Sequence, residues 1–234
     1  MICGLQKMTL LDFPGKIACT VFLGGCNFRC PFCHNSELFM GKPEKLMEDE
    51  DFFAFLKTRK GLLDGVCVSG GEPTLYKNLP DFLAKIKAMG FLVKLDTNGY
   101  RPEALKALVE AGLVDYVAMD VKNSPAMYAQ TVGLEKMDLA SIEESLRFLI
   151  GGSVDYELRT TLVSQLHTAA SIQDMGAWLA ALVPGRKPGK LFLQSIVDRD
   201  TVLFAGLSAP EGETTAGFAK ILEPFVEQVT VRNP

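Results

Sequence analysis

The chain has 234 residues, 48% of them apolar and 22% charged, with a net charge of -4. That is an ordinary globular mix, and it excludes a disordered, collagen-like or coiled-coil protein. The acidic balance argues against a nucleic-acid partner, no apolar run approaches the ~20 residues that cross a bilayer, and Asp12 and Pro14 interrupt any signal-peptide core, so a soluble cytoplasmic protein is expected.

Residues 17–23 (IACTVFL) are apolar and β-branched, which predicts a buried strand. Residues 48–59 predict a helix carrying Phe52, Phe53, Phe55 and Leu56, and residues 65–69 (GVCVS) a second strand. The next helix is punctuated by Asn78 as cap, Pro80 inside its start and Gly90 past its end. Residues 91–96, 114–120, 154–163 and 190–196 predict four more strands, with a helix at 102–111 after the first of them. Ser141 and Glu144 have the spacing of a capping box, and Ser171 can cap the helix that holds Trp178. A helix near 214–224 and a short strand near 228–232 close the chain. Strands alternating with helices predict parallel β–α units, about six of them. A partial barrel and an open doubly wound sheet both fit that pattern, and either places a site at the C-terminal ends of its strands. One domain over 1–234 is expected, with a core at about 15–200 and a C-terminal extension at 201–234.

All six cysteines lie in the first third of the chain. A disulfide framework suits short secreted chains, which this is not. The uneven placement points to one metal or redox centre and denies residues 68–234 a second thiolate-held one. Cys26, Cys30 and Cys33 sit in GGCNFRCPFCHN, residues 24–35, directly after the first predicted strand. Three thiolates can hold three irons of a cubane and leave the fourth open to another ligand. The alternatives are a zinc site, which normally closes with four ligands, and buried core thiols. His34 adjoins Cys33 and is badly placed to complete a zinc tetrahedron, while Gly24, Gly25, Asn27, Arg29 and Pro31 mark a loop.

This segment resembles the signature of the radical S-adenosylmethionine superfamily. The resemblance implies a [4Fe–4S] cluster on Cys26, Cys30 and Cys33 whose open iron is chelated by S-adenosylmethionine, with reductive cleavage to methionine and a 5′-deoxyadenosyl radical. It implies that Phe32 packs near the adenine and that backbone at Phe32–His34 contacts it. SGGEPT at 69–74 would alone be an ordinary turn. Beside the cysteine loop it resembles the superfamily's glycine-rich motif, which carries binding of the methionyl amino group onto Gly70, Gly71 and Glu72.

DTNG (96–99) and MDVK (119–122) end the third and fourth predicted strands. Alone, Asp96 and Asn98 read as turn residues, and Asp120 and Lys122 as a surface ion pair. They resemble segments of glycyl-radical-enzyme activases, which implies that Asp120 and Lys122 contact the cofactor's ribose and carboxylate. The same resemblance implies a monovalent cation on Asp96, Thr97 and Asp120. Arg159 stands inside a predicted strand, facing the surface or, as the resemblance implies, the cofactor carboxylate. The activase of pyruvate formate-lyase places a ribose-contacting His shortly after the sixth strand. This chain has LQSIVDRD there, with Gln194 and Ser195 as the substitutes, and His167 reads as a solvated loop residue.

Residues 4–200 carry the resemblance, and GLQKMTLLDFPGKIACTVFLGGCNFRCPFCHN with DTNG and MDVK is similar to the anaerobic ribonucleoside-triphosphate reductase activating proteins. That implies a partial (β/α)6 TIM-type barrel with parallel strands. It also implies a large glycyl radical enzyme as protein substrate and a flavodoxin or ferredoxin-type electron donor. A small-molecule radical enzyme such as a 7-carboxy-7-deazaguanine synthase, and a non-catalytic zinc-binding module, are the alternatives. Cys3, Cys19 and Cys67 are left as packing residues.

Overall fold

The computed structural model describes residues 1–40, 44–197 and 202–232. The chain divides into two compact units. The first holds Met1–Asn27, Asn35–Thr97 and Glu103–Ala118, and the second Phe28–His34, Asn98–Pro102 and Met119–Pro234.

In the first unit the strands run in chain order: β1 (Ile2–Thr9), β2 (Ala18–Leu23), β3 (Gly65–Gly70) and β4 (Leu92–Thr97). β2, β3 and β4 pair in parallel, with Ala18 opposite Gly65 and Gly65 opposite Leu92. β1 was not expected. It is antiparallel to β2, with Thr9 opposite Ala18, and its middle residues Gln6, Lys7 and Met8 are exposed. An edge strand with a polar, half-wet pattern gives a weak apolar signal in sequence, which is why periodicity passes over it.

Helices α1 (Asp49–Lys57), α2 (Leu79–Ala88) and α3 (Pro102–Glu110) accompany these strands. Glu48 and Asp51 form a capping box on α1. Of its four large apolar residues, Phe52 and Leu56 are fully buried, since residues four apart share a helix face. The Phe52 ring stacks on Phe82 of α2 at 5.4 Å. Asn78 takes the cap position of α2 without a side-chain cap bond.

β5 (Tyr116–Asp120) starts in the first unit and ends in the second. The second unit continues with α4 (Pro125–Thr131), α5 (Ala140–Ile150), β6 (Asp155–Leu162), α6 (Ala169–Ala181), β7 (Lys190–Ser195), α7 (Gly212–Leu222) and β8 (Gln228–Arg232). β6 pairs in parallel with β7, and β7 with β8. Two expected caps are displaced. α5 starts ahead of Ser141, where Asp138 Oδ1 accepts the Ala140 amide at 3.0 Å. On α6 the cap is Thr168, and Ser171 answers it from the third helical position. α4 was also unexpected, being only seven residues long.

The parallel strands alternating with helices are the expected α/β class. β6 shows how it places polar groups: Leu158, Thr160 and Leu162 are buried on one face, while Glu157, Arg159 and Thr161 share the other. Among the described residues no helix is long and apolar enough to cross a membrane. Cys19 and Cys67 are buried, and burial pushes the Cys19 thiol up to about 12.

Candidate cofactor site

The entry to the cysteine loop belongs to the first unit. Past Leu23, Gly24 N donates to Met1 O (3.0 Å) and Gly25 N to Leu38 O (2.8 Å). The end of β3 lies directly against this turn. Gly71 N donates to Leu23 O (2.9 Å) and Glu72 N to Gly25 O (2.8 Å). Gly70 has φ +125°, and a Cβ there would stand 2.3 Å from Leu23 O. A Cβ on Gly71 would stand 2.0 Å from Gly25 O. Both glycines, which the family resemblance assigns to a ligand, are also the seat of the cysteine loop itself.

The exit of the loop belongs to the second unit. Phe28 is buried edge-on against Tyr100 at 5.7 Å, and Arg29 N donates to Val132 O at 2.9 Å. Cys33 N donates to Cys30 O (3.1 Å), closing a turn around Pro31 and Phe32. Phe204 N donates to Pro31 O (3.0 Å), and His34 Nε2 bonds Val197 O at 2.7 Å. Cys30 is buried, Cys26 and Cys33 are half-buried, and no cysteine is in a disulfide. Three such thiols on a loop pinned at both ends are a donor set that fits an iron–sulfur cluster. Among the described residues no three Cys, His, Asp or Glu side chains converge as the ligands of a single ion would.

In the first unit Glu72 is buried, and its Oε1 accepts from Thr74 N (3.1 Å), Thr74 Oγ1 (2.6 Å) and Thr97 Oγ1 (2.8 Å). Asp96 accepts Ser69 Oγ at 2.9 Å and is ion-paired with Lys94. Lys94 lies within the predicted strand 91–96, but its ammonium was not singled out there.

In the second unit Asp120 is the hub. Its Oδ2 accepts Lys122 Nζ at 2.9 Å, and its Oδ1 accepts Arg159 Nε at 3.1 Å. Lys122 is therefore no surface lysine: its side chain is 13% exposed, and Nζ stands 5.8 Å from the Phe32 ring centre. Burial alone would lower its pKa, but Asp120 and Cys30 outweigh that and hold it above the ordinary value. Arg159 faces its carboxylate partner, and its side chain is largely buried. Asn98 Oδ1 accepts Tyr100 N at 3.0 Å, a turn contact.

His167 departs from its expected solvated setting. It is 3% exposed; Nδ1 accepts the Val163 amide at 3.1 Å, so Nε2 carries the proton given to Lys122 O at 2.9 Å. Burial lowers its pKa. It thus pins the backbone beside the Asp120 hub. Tyr128 of α4, also not foreseen, is fully buried with its ring edge-on to Trp178 at 6.2 Å. Gln194 Nε2 donates to Thr161 Oγ1 at 3.1 Å, and Ser195 ends β7. Asp198–Asp200 of the following segment lie outside the described residues.

Residues 20–152, more than half of the chain, match the radical SAM superfamily. A Methanocaldococcus jannaschii protein named as a glycyl-radical enzyme activating enzyme is 30% identical over 240 residues, covering 99% of this chain and 95% of its own. The 7-carboxy-7-deazaguanine synthase of Koribacter versatilis is 32% identical over 62% of this chain and 61% of its own length. Among solved structures, Streptococcus suis SuiB bound to precursor peptide SuiA shares the fold, with a TM-score of 0.70 at 10% identity over 91% of this chain. The chain spans about half of that structure, 48%. A cluster enzyme of this kind replaces the zinc-module alternative. The chain belongs to the radical SAM superfamily, whose enzymes carry a [4Fe–4S] cluster and use S-adenosylmethionine, and within it to the glycyl-radical-enzyme activating enzymes.

Proposed function

We propose that this chain activates a large glycyl radical enzyme, and that the partner is an anaerobic ribonucleoside-triphosphate reductase. The observation that carries the activase reading is the likeness to an activating enzyme over nearly the full length of both chains. The reductase as partner is supported by the resemblance of the segment from Gly4 to Asn35, taken with DTNG and MDVK. When bound, the cluster and S-adenosylmethionine supply a 5′-deoxyadenosyl radical able to take hydrogen from a partner glycine, after one electron from a flavodoxin or ferredoxin-type donor.

The chain's own residues bind and orient. Cys26, Cys30 and Cys33 hold the cluster, and Phe32 with the backbone to His34 borders the adenine. Asp120 joins two cations, so this triad carries one positive charge in excess, suited to the cofactor carboxylate. The planar fork of Arg159 and the point charge of Lys122 divide that task. In the first unit Glu72 supplies a buried carboxylate for the methionyl ammonium, steadied by Thr74 and Thr97. His167 and Asn98 hold backbone next to these groups.

The deazaguanine synthase likeness favours a second reading, a small polar substrate on the polar face of β6. One experiment separates the two. The reduced holoenzyme is incubated with S-adenosylmethionine and the co-encoded reductase. A glycyl doublet in electron paramagnetic resonance supports the activase. Release of 5′-deoxyadenosine without a doublet on any co-encoded glycyl radical enzyme refutes it.

A further inference from the structure

β4 carries two charged residues through an apolar run, LVKLDT. Side chains two apart on a strand share a face, so Lys94 and Asp96 lie side by side. Lys94 is 1% exposed. An ammonium has three donors and no acceptor, and out of water it needs anionic company. Nζ is ion-paired with Oδ1 of Asp96 and stands 3.8 Å from Sγ of Cys67 on β3. Oδ2 of the same carboxylate accepts Ser69 Oγ at 2.9 Å. One residue on, Thr97 gives its hydroxyl proton to Glu72 at 2.8 Å.

A dissociable monovalent cation on Asp96, Thr97 and Asp120 does not fit this arrangement. The carboxylate of Asp96 is already paired with a unit positive charge, delivered by a side chain that cannot diffuse away. We infer that Lys94 is the built-in cation of the cofactor site, a positioning residue that fixes Asp96 and makes a dissociable monovalent cation unnecessary. The two cases differ in linkage. A free cation that supports cofactor binding makes affinity rise and saturate with its concentration, whereas a tethered one adds no such dependence.

The inference rests on the proposed placement of the cofactor and is independent of the partner's identity. The test measures S-adenosylmethionine affinity of the anaerobic holoenzyme by equilibrium dialysis. Potassium or sodium chloride replaces tetramethylammonium chloride at constant ionic strength, so that screening is unchanged. The natural protein is expected to hold its affinity within about twofold from none to roughly 100 mM potassium. Lys94→Met is expected to bind about tenfold more weakly in tetramethylammonium and to recover with potassium or ammonium. A saturable rise with potassium in the natural protein overturns the inference, and so does a Lys94→Met protein that binds normally in every salt. Should Lys94→Met fail to fold, the Lys94→Met/Asp96→Asn pair removes both charges, and a potassium response in it overturns the inference too. A lack of cofactor binding in any salt strikes the cofactor placement instead, and intact binding without a glycyl radical strikes only the activase reading.

Discussion

Gly71→Ala tests how the glycine pair seats the cysteine loop. The added Cβ would stand 2.0 Å from Gly25 O, 2.7 Å from Gly25 C and 3.3 Å from Cys26 Cβ. Real Cβ atoms essentially never come within 3.0 Å of such atoms, so the two backbones must part by about 1.0 Å. Both are hydrogen-bonded where they meet, through Gly71 N to Leu23 O (2.9 Å) and Glu72 N to Gly25 O (2.8 Å). Parting by that much carries the second bond beyond hydrogen-bond range. Overpacking of this kind costs about 2 kcal/mol, which a domain of this size survives. The displacement falls on the residue next to Cys26, and a misplacement of about 1 Å in a reacting geometry can cost about 100-fold in rate. Gly71→Ala should therefore fold, retain less iron and release 5′-deoxyadenosine about 100-fold more slowly. Iron and sulfide per chain and single-turnover cofactor cleavage, both under anaerobic conditions, measure this. Gly217→Ala in α7 is the control: its Cβ meets nothing within 4 Å, and it should leave both readouts unchanged. Full iron content with a natural cleavage rate in Gly71→Ala would refute the reasoning.

Cys30→Ala should abolish reductive cleavage and lower iron per chain, while Cys67→Ser should keep the iron, as colour and iron analysis will show. Arg232→Ala removes two guanidinium hydrogen bonds, at 3.1 and 2.8 Å, from Glu157, a carboxylate 1% exposed; denaturant midpoints should show a loss of about 3 kcal/mol. His167 has a folded pKa below its ordinary 6.5, so the unfolded chain binds its proton first as pH falls. Its contribution to stability is whole above about pH 6.5 and drains away below it, and His167→Asn should flatten the acid limb of a stability–pH curve.

The elements legible in sequence were continuous apolar runs and helices with one buried face. β2 and β3 are near-continuous apolar runs, and α2 keeps Phe82, Leu83 and Ile86 on its inner side. The edge strand β1 and the seven-residue α4 carry too few buried residues to register as a period. Caps failed for a different reason. Ser141 and Ser171 offer the right chemistry, but Asp138 and Thr168 stand where the chain turns into the helix, and backbone direction at that point is decided by packing further along.

Within the candidate site, the legible part was what lies close in sequence. The thiol spacing and the glycine pair are local, and strand ends placed them. Long-range partners were hidden. Arg159 in YELRTTLV, Lys94 in LVKLDT and Glu157 two residues before Arg159 each announce themselves as charge in an apolar strand. Such a residue cannot stay buried alone, so the sequence does state that a partner exists. It does not state which one, because the partner comes from another strand that only the fold brings near: Asp120 for Arg159, 39 residues away, and Arg232 for Glu157, 75 residues away. Lys94 is the exception, since its partner is two residues along the same strand. Read as a pair, Lys94 and Asp96 already say that this carboxylate brings its own cation. Read singly, Asp96 is an ordinary turn residue, and only the family resemblance makes it a cation ligand.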